Sequence, residues 1–441
     1  MTTRHLLDAM PFVQPTVDRN GATFVLPDHV YRAFRGDSAA FYRRLLHADD
    51  VEGLFRAGLV RCWEADVEIE GFEYVVECER VPVVSYPMEW PTAMVKEAAV
   101  CIARLGLALA ERGLSLQDAH PWNVLFDGPR AIFVDVGSIV PGGAVRGHWM
   151  AEFRRHLIVP LILRRLRLHG AADAVLRAHQ TVGAKGFWDS RFLRPWFPPG
   201  FGRLATRGRH PAAYFQALLD YVERLPDGAG RSAWSDYEQR HGARVADPST
   251  YQGKQQAVDA LLRQVEPGLV LDLGANAGWY SELAVRHGNR VIAVDTDDWT
   301  LSLLYRMVKE RTLPILPLRL DIMWPTGSYG MALSFQDAYT RLRADTSMSL
   351  ALLHHLAGFQ QVSFEMFAYV ISQVSRKAAI VEFVPREDAH VAAWPLAQEA
   401  WYDQDHLVRA MRPYFPEVDV LPSSPEPRQM LLFRRRKGGA P

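Results

Sequence analysis

The most constraining feature of the sequence is a regular alternation of short apolar runs with helical patterns from Gly268 onward. Helical patterns reach to about His287 and cover Leu301–Glu310. Alternation of this kind specifies an α/β fold with a mostly parallel sheet and helices on both of its faces. The predicted strands are Leu269–Leu273, Val291–Val294, Ile315–Leu320, Met348–Leu353, Lys377–Val384 and a late edge strand at Gln429–Arg435.

Length and charge limit the class of protein. A chain of 441 residues exceeds one ordinary domain, and about two or three domains are expected. The 50 basic residues balance the 50 acidic ones, which gives no electrostatic reason to expect a nucleic-acid partner. No apolar run reaches the ~20 residues that span a bilayer, and no signal-peptide pattern is present. We therefore expect a cytoplasmic protein without membrane association.

The cysteines argue against a disulfide framework or a zinc site. Cys62, Cys78 and Cys101 are odd in number and show no CxxC spacing. Unpaired thiols are typical of a reducing compartment, which agrees with the expected cytoplasmic location.

A glycine-containing loop follows the first strand of the α/β region. It reads Asp272-Leu-Gly274-Ala-Asn276-Ala-Gly278. Gly274 allows a tight turn, and Gly278 allows a close approach of the backbone to a ligand and to the next helix. Asn276 stands where a glycine is more usual, and asparagine tolerates left-handed backbone well. Such a loop alone is a weak signal, since a simple strand-to-helix turn also uses glycine.

Acidic residues at three successive strand ends strengthen the signal. Asp295 ends the second strand 23 residues after Asp272, and Asp321 ends the third. Ligands bind at the carboxyl ends of such strands, where Asp295 is placed for ribose hydroxyls and Asp321 for an adenine amino group. Trp279 and Tyr280 occupy positions where a pyrophosphate would need open backbone amides. The pattern therefore favours S-adenosylmethionine (SAM) over a dinucleotide.

The stretch Asp272–Gly278 resembles motif I of class I SAM methyltransferases. The resemblance implies a seven-stranded mixed sheet with a reversed late strand, SAM as cofactor and S-adenosylhomocysteine (SAH) as product. It also implies that Asp272, Gly274, Asn276, Gly278, Asp295 and Asp321 bind the cofactor. Methyl transfer from a sulfonium is a direct displacement that relies on alignment, so we expect no metal ligands in this domain.

Candidate catalytic groups follow the fourth and fifth strands. The fourth strand runs into Leu353-His354-His355-Leu356, and a histidine there can act as general base. We favour His355 over His354, although each can equally be a packed core residue. Glu382, in the segment VEFVPRED, is a candidate substrate contact or a cap for a neighbouring helix.

A second motif lies in the amino-terminal part. The segment Ser115–Asn123 (SLQDAHPWN) precedes two short strand-like runs and Asp135-Val-Gly137, and it follows a predicted helix over Pro91–Arg112. It resembles the catalytic loop of protein-kinase-like folds, in particular the aminoglycoside-phosphotransferase branch. The resemblance implies Asp118 as base and Asn123 and Asp135 as Mg²⁺ ligands.

The amino-terminal motif departs from that pattern at several positions. Gln117 replaces the usual histidine-containing pair, no glycine-rich phosphate loop lies upstream, and no lysine occurs before Lys96. An arginine such as Arg32 or Arg35 is the available substitute, but arginine and lysine are not equivalent at such sites. We therefore expect a degenerate kinase-like unit, and a working phosphotransferase remains the alternative.

The segments combine into three predicted regions. Residues 1–145 form an α+β kinase-like domain, residues 146–250 a helical bridge, and residues 251–441 the Rossmann-like methyltransferase domain. The bridge contains helical patterns at Trp149–Gln180 and Pro211–Glu223, and between them a stretch at 186–208 rich in proline, glycine and aromatic residues.

The whole chain resembles a family of bacterial two-part SAM-dependent methyltransferases, some of them labelled nodulation proteins. The resemblance implies a small-molecule methyltransferase of specialised metabolism. A SAM-fold enzyme with another reaction, such as an intramolecular displacement or cyclisation, is the alternative. The sequence leaves open whether the protein acts with a protein partner or as a homodimer. The segments that show this resemblance are CERVPVVSYPMEW (78–90), LSLQDAHPWNVLF (114–126), VLDLGANAGWYS (270–281), LALLHHLAG (350–358) and VEFVPRED (381–388).

Overall fold

The computed structural model describes residues 5–6, 21–142, 152–178, 211–227 and 245–436. The chain divides into two compact units. The first comprises Met1–Ala229 together with Tyr329–Phe335, and the second comprises Gly230–Ser328 together with Gln336–Pro441. The stretch 186–208 of the predicted bridge lies outside the described residues.

The first unit begins with a small antiparallel sheet. Its strand order is β2-β3-β6-β4, and β1 pairs separately with β5 in parallel. Because Phe34 stacks on Tyr42 at 4.1 Å between ring centroids, α1 is anchored to this sheet. The elements are β1 His5–Leu6, β2 Gly21–Val25, β3 Val30–Phe34, α1 Gly36–Leu46, α2 Val51–Arg56, β4 Cys62–Glu64, β5 Val67–Glu68 and β6 Tyr74–Cys78.

The rest of the first unit is mainly helical. The long helix α3 confirms the prediction for this region and ends just before Gly113, which has a φ of 67°. A Cβ at Gly106 would lie 2.2 Å from the ring of Phe215, so this glycine lets α3 and α6 pack closely. The elements are α3 Thr92–Ala110, β7 Leu114–Leu116, β8 Val124–Asp127, β9 Arg130–Phe133, β10 Ile139–Pro141, a π-helical turn Arg154–Ile158, α4 Val159–Arg165, α5 His169–Arg177 and α6 Pro211–Arg224.

Two hairpin-like pairings and one later segment complete the first unit. The strand β7 pairs with β10, and β8 pairs with β9, both antiparallel. The segment Tyr329–Phe335 belongs to this unit, where the ring of Phe335 stacks on Trp122 at 5.1 Å. The unit therefore has the α+β character predicted for the kinase-like region.

A seven-stranded mixed sheet forms the second unit, with the order β13-β12-β11-β14-β15-β17-β16. Strands β11 to β15 are parallel, and β17 runs antiparallel to both β15 and β16. Numbered within the sheet, this order is 3-2-1-4-5-7-6, the order of class I methyltransferases. The strands are β11 Leu269–Leu273, β12 Arg290–Asp295, β13 Ile315–Arg319, β14 Ala344–Ser349, β15 Ser375–Phe383, β16 Glu417–Pro422 and β17 Gln429–Arg434.

The predicted edge position of the last strand is wrong. Gln429–Arg434 lies inside the sheet, because Glu417–Pro422 pairs along its outer side with Glu417 opposite Arg434. The outer strand is mostly exposed, so it lacks the apolar run by which a buried strand is recognised.

The fourth strand is also displaced from its prediction. It spans Ala344–Ser349, and the apolar run that follows it enters a helix. The strand reads ADTSMS, and its hydroxyls are satisfied internally, as where Ser375 Oγ donates to Ser347 Oγ at 2.7 Å. The bounds of this strand were not predicted because its buried residues are largely serine and threonine, so it lacks the apolar run that marks a buried strand.

Helices cover the sheet of the second unit. Aspartate or serine side chains accept backbone N–H groups at several amino-terminal ends, as Asp297 does at α9. Among the described residues, no helix has the length and apolar character needed to cross a membrane. The helices are α7 Lys254–Leu262, α8 Trp279–Arg286, α9 Asp298–Arg311, α10 Ala338–Arg341, α11 Leu353–Phe359, α12 Phe364–Val374 and α13 Gln404–Met411.

Candidate functional site

The loop between β11 and α8 passes through left-handed backbone three times. Gly274, Asn276 and Gly278 have φ angles of 75°, 52° and 89°. Such angles are costly for most L-residues, and glycine and asparagine adopt them most readily. Asn276 therefore has the conformation predicted for it, and its Oδ1 accepts the Ala277 N–H at 2.7 Å.

Packing imposes a second requirement on one of these glycines. A Cβ at Gly278 would lie 2.4 Å from Cδ1 of Leu304 in α9. At Gly274 the nearest atom, Cδ1 of Leu352, would be 3.5 Å away, which is an ordinary contact. Gly278 thus lets α9 approach the loop, whereas Gly274 is needed for the turn alone.

Asp295, at the end of β12, is bonded directly to the loop. Its Oδ2 accepts the Asn276 N–H at 2.9 Å. Its Oδ1 accepts the amides of Thr296 and Asp297 at 2.7 and 3.0 Å. Burial raises the pKa of Asp295, and the amide donors oppose that rise. The structure therefore brings the predicted ribose-side carboxylate to the predicted loop, and three amides orient it.

Asp272 lies within β11 and is 2% exposed. The hydroxyl of Ser281, in α8, donates to its Oδ2 at 2.6 Å. Burial raises the pKa of Asp272 to about 6; the charge of Asp295 adds to the rise, while the bond from Ser281 opposes it. Asp272 is thus a buried carboxyl group that titrates close to neutral pH.

Asp321 follows the end of β13. Its Oδ1 accepts the Met323 N–H at 2.9 Å, and its Oδ2 accepts the side-chain amide of Gln360 at 3.1 Å. The preceding residue, Leu320, donates its N–H to the Asp295 carbonyl at 2.9 Å. The two aspartates predicted for adenine and ribose therefore lie at the carboxyl ends of neighbouring strands, Asp295 as the last residue of β12 and Asp321 just after β13.

His354 and His355 lie in the first turn of α11, with ring centroids 4.2 Å apart. Their predicted place at a strand end is wrong, because Ala351 (φ 53°) turns the chain before the helix begins at Leu353. His354 is 4% exposed, and burial, aided by the charges of His355 and Arg428, lowers its pKa to about 3. Burial also lowers the pKa of His355, which is half-buried. His354 therefore stays neutral at physiological pH and is a weak base.

Two buried polar atoms, one in the last residue of β14 and one in α11, have no hydrogen-bond partner among the described residues. They are Nδ1 of His354 and Oγ of Ser349, whose residue is 1% exposed. An unsatisfied buried polar atom costs about 1–3 kcal/mol, which favours its pairing with a ligand or water. Aromatic rings lie beside His354: its ring stacks on Trp394 at 5.6 Å, and Trp394 contacts Phe359 at 4.8 Å.

Glu382, in β15, is fully buried and held by a lysine. Its Oε2 accepts a hydrogen bond from Nζ of Lys254 at 2.5 Å. Its Oε1 accepts a hydrogen bond from the hydroxyl of Ser423 at 3.3 Å and lies 3.9 Å from Nη1 of Arg428. Glu382 is therefore one member of a buried charge network at the carboxyl end of the sheet.

A second ion pair extends this network. Arg428 donates from Nε and Nη2 to the two carboxylate oxygens of Asp388, at 2.7 and 3.2 Å. Asp388 is 2% exposed; burial acts to raise its pKa, but the bonds from Arg428 prevail and lower it. This bidentate pair fixes the segment after β15 against the residue that precedes β17.

The kinase-like motif lies in the first unit. The Asp118 N–H donates to Oγ of Ser138 at 3.0 Å, and Asn123 ends the turn before β8. Arg32, in β3, is 5% exposed, and its Nη2 lies 3.8 Å from Oδ1 of Asp135. Arg32 is therefore the arginine that the fold brings to the predicted metal-binding aspartate.

Comparison with curated proteins establishes the family. The chain is 31% identical over 343 residues to "Nodulation protein NoeA" of Rhizobium meliloti (strain 1021), which covers 70% of each chain. The chain belongs to the NoeA family. The predicted membership in a family that includes nodulation proteins is thus confirmed, while no protein-family model matches the chain.

Two methyltransferases are among the solved structures that match part of the chain. The bifunctional kinase-methyltransferase WbdD is 18% identical, with a TM-score of 0.31, over 40% of this chain and 39% of the WbdD chain. Magnesium protoporphyrin IX methyltransferase (ChlM) from Synechocystis PCC 6803, with bound SAH, is 15% identical, with a TM-score of 0.33, over 46% and 94%. The alignment thus spans about two fifths of WbdD. For this NoeA-family chain, the strand order itself gives the class I assignment.

Three polar residues of the NoeA-family site were not predicted as site residues. Lys254, Ser281 and Arg428 each bond to a buried carboxylate of another element or segment. Lysine is rare in the chain, and that rarity was the one available signal for Lys254. Ser281 and Arg428 belong to common residue types, so nothing in the sequence distinguishes them.

Within the described part of the chain, no cluster of three or more histidine, cysteine, aspartate or glutamate side chains is suited to hold a metal ion. The three cysteines are free thiols.

Proposed function

We propose that this NoeA-family protein is a SAM-dependent methyltransferase that acts on a small molecule. The observation that carries the proposal is the bond from the Asn276 N–H to Asp295, which joins the turn after the central strand to the neighbouring strand end. This is the position at which open α/β sheets bind ligands. When bound, SAM supplies an electrophilic methyl group. The chain binds and orients the reactants and excludes water from them.

The charged groups present are suited to this cofactor. Asp295 is oriented to accept hydrogen bonds from ribose hydroxyls, and Asp321 occupies the next strand end. Asp272, whose pKa is about 6, is largely ionised at neutral pH and can accept the ammonium of an amino-acid group. These residues supply acceptors for the donor groups of SAM.

The acceptor molecule is proposed to bind at the end of β14. The partnerless Nδ1 of His354 and Oγ of Ser349 provide hydrogen-bonding atoms within an aromatic environment. Because the pKa of His354 is about 3, we assign this residue to orienting the acceptor. His355 has the smaller lowering of pKa and remains the proposed general base.

Isothermal titration calorimetry with SAH tests the proposed function. Wild-type protein is expected to bind SAH with micromolar affinity. Asp295→Ala, which removes the oriented carboxylate, is expected to weaken binding at least tenfold, as expected for a lost charge-assisted bond worth about 1.5–3 kcal/mol. The exposed Asp405→Ala in α13 is the matched control. Absence of SAH binding by the wild type, or equal binding by Asp295→Ala, contradicts the proposal.

A further inference from the structure

The amino-acid end of SAM is a zwitterion and calls for both a negative and a positive partner. The present inference rests on the proposed function and concerns this end of the cofactor. Asp272 supplies a buried negative group next to the loop. A carboxylate ligand would also need a fixed cation nearby, since an uncompensated charge in a buried site is costly.

Lys254 is the cation that the fold places beside this site. It is the first residue of α7, and its side chain is 13% exposed. Its Nζ lies 5.2 Å from the centroid of the Tyr280 ring, in the first turn of the helix that the loop enters. Its charge acts on both Asp272 and His354, lowering the pKa of each. Lys254 therefore lies beside the first turn of the helix that follows the loop, close enough for its charge to act on Asp272.

Glu382 holds Lys254 in place. The carboxylate is fully buried, and its Oε2 lies 2.5 Å from Nζ of Lys254. Ser423 and Arg428 constrain Oε1, so the carboxylate has little freedom to rotate. An ammonium group has three N–H donors, and the bond to Glu382 uses one of them. A buried ion pair by itself adds little to net stability, which is compatible with a role for this pair in the site.

We propose that Lys254 binds the carboxylate of the cofactor's amino-acid end, and that Glu382 is the positioning residue that aims its ammonium group. Asp272 then receives the ammonium of the same amino-acid end. The pair of opposite charges recognises the zwitterion and distinguishes SAM and SAH from nucleosides that lack this group.

Two ligands separate this role from a structural one. SAH carries the amino-acid end, whereas 5′-methylthioadenosine has the same nucleoside without it. Lys254→Met is expected to weaken SAH binding by roughly tenfold to hundredfold, the range for losing a charge-assisted hydrogen bond. Binding of 5′-methylthioadenosine is expected to stay within about threefold of wild type, since the lost interaction is absent from it.

Two further variants keep the test decisive if Lys254→Met leaves a destabilising buried charge. Lys254→Met/Glu382→Gln removes both charges and is expected to show the same selective loss of SAH affinity. Glu382→Gln alone keeps an oxygen that accepts from Lys254, so it is expected to weaken SAH binding by less than Lys254→Met does. All affinities are measured by calorimetry on the full chain.

Three outcomes overturn the inference. The first is a double variant that binds SAH as tightly as the wild type. The second is a parallel loss of affinity for both ligands, which would indicate general damage to the pocket. The third is a loss in Glu382→Gln as large as that in Lys254→Met, which would assign the contact to Glu382. Failure of the wild type to bind SAH instead overturns the proposed function.

Discussion

Gly274 and Gly278 share a left-handed backbone but differ in their surroundings, and this makes them a matched pair. Gly274→Ala is expected to cost about 1–2 kcal/mol, because only the left-handed conformation is strained. Gly278→Ala also places a Cβ 2.4 Å from Leu304, which adds roughly 1–3 kcal/mol of overpacking. Calorimetric unfolding of the full chain should therefore show a larger loss for Gly278→Ala.

Leu304→Ala provides the control for this comparison. It removes the atom that a Cβ at Gly278 would meet, so Gly278→Ala should cost less in that background than in the wild type. Equal stability losses at the two glycines, or no relief in the Leu304→Ala background, would contradict the packing argument.

Asp272 should give SAH binding a pH dependence. Its pKa is raised to about 6, so it is ionised at pH 7 to 8 and protonated below pH 6. Protonation removes the charge that attracts the ligand's ammonium, so affinity is expected to be constant at higher pH and to fall as pH drops through about 6. Asp272→Asn keeps an acceptor for Ser281 and should bind SAH more weakly, with no such fall.

Calorimetry from pH 5 to pH 8 measures this dependence. If the wild-type affinity stays constant across this pH range, or if the fall persists in Asp272→Asn, then a residue other than Asp272 binds the ammonium of SAH. The ammonium of SAH is protonated below about pH 7, so it does not produce the predicted fall in affinity as pH drops through about 6.

At the residue scale, the sequence predicted local conformation where a residue type has few uses. Asn276 has the left-handed backbone predicted for it, and Asp295 lies beside the predicted loop, while the roles of these residues in binding stay predictions. Lys254 and Ser281 were not predicted, because their roles depend on contacts between residues far apart in the chain or in different elements.

Neighbouring strands place two thiols side by side in the first unit. Cys62 in β4 is directly opposite Cys78 in β6, and their sulfur atoms are 3.0 Å apart. Directly opposed residues of antiparallel strands have Cα atoms about 4.5–5.5 Å apart, within the range of about 4.4–6.8 Å found in disulfides. Oxidised glutathione is expected to convert the two thiols into a disulfide, with release of two molecules of reduced glutathione.

Intact mass spectrometry after removal of small thiols measures this product as the loss of two hydrogens. The pKa of Cys62 is raised by the bond with Cys78 and by burial, so the reactive thiolate is scarce at pH 7 and oxidation should accelerate as pH rises. Cys101→Ser should leave the reaction unchanged, whereas Cys62→Ser should abolish it. A two-hydrogen loss that persists in Cys62→Ser would refute the pairing.

Element prediction failed where burial and apolar character do not coincide. The strand Ala344–Ser349 is buried yet rich in hydroxyl groups, and Glu417–Pro422 is a strand that is mostly exposed. By contrast, Leu269–Leu273 has the bounds predicted for it, because a central parallel strand is buried on both faces and reads as an apolar run.

At the scale of the whole molecule, the two units differ in how fully each matches the ligand site predicted for it. The second unit contains the loop and the strand-end carboxylates on which the proposed SAM site depends. In the first unit, Arg32 donates to Oγ1 of Thr23 at 2.7 Å and approaches Asp135 in place of a lysine. The sequence before β3 contains a single glycine, Gly21, so it offers no glycine-rich phosphate loop.

Thermal unfolding should therefore respond to one ligand and not to the other. SAH at a hundred times its Kd is expected to stabilise the protein by about 2.7 kcal/mol through binding to the native state. At the same SAH concentration, the at least tenfold weaker binding of Asp295→Ala should reduce the effect to about 1.4 kcal/mol or less. Mg-ATP at millimolar concentration is expected to leave the transition unchanged in wild type and in Asp135→Asn. A stabilisation by Mg-ATP that Asp135→Asn abolishes would instead identify the first unit as a nucleotide site. That result would favour the phosphotransferase alternative. Asp135 is the predicted Mg²⁺ ligand, so a stabilisation that depends on it would indicate that Mg-ATP binds at this residue.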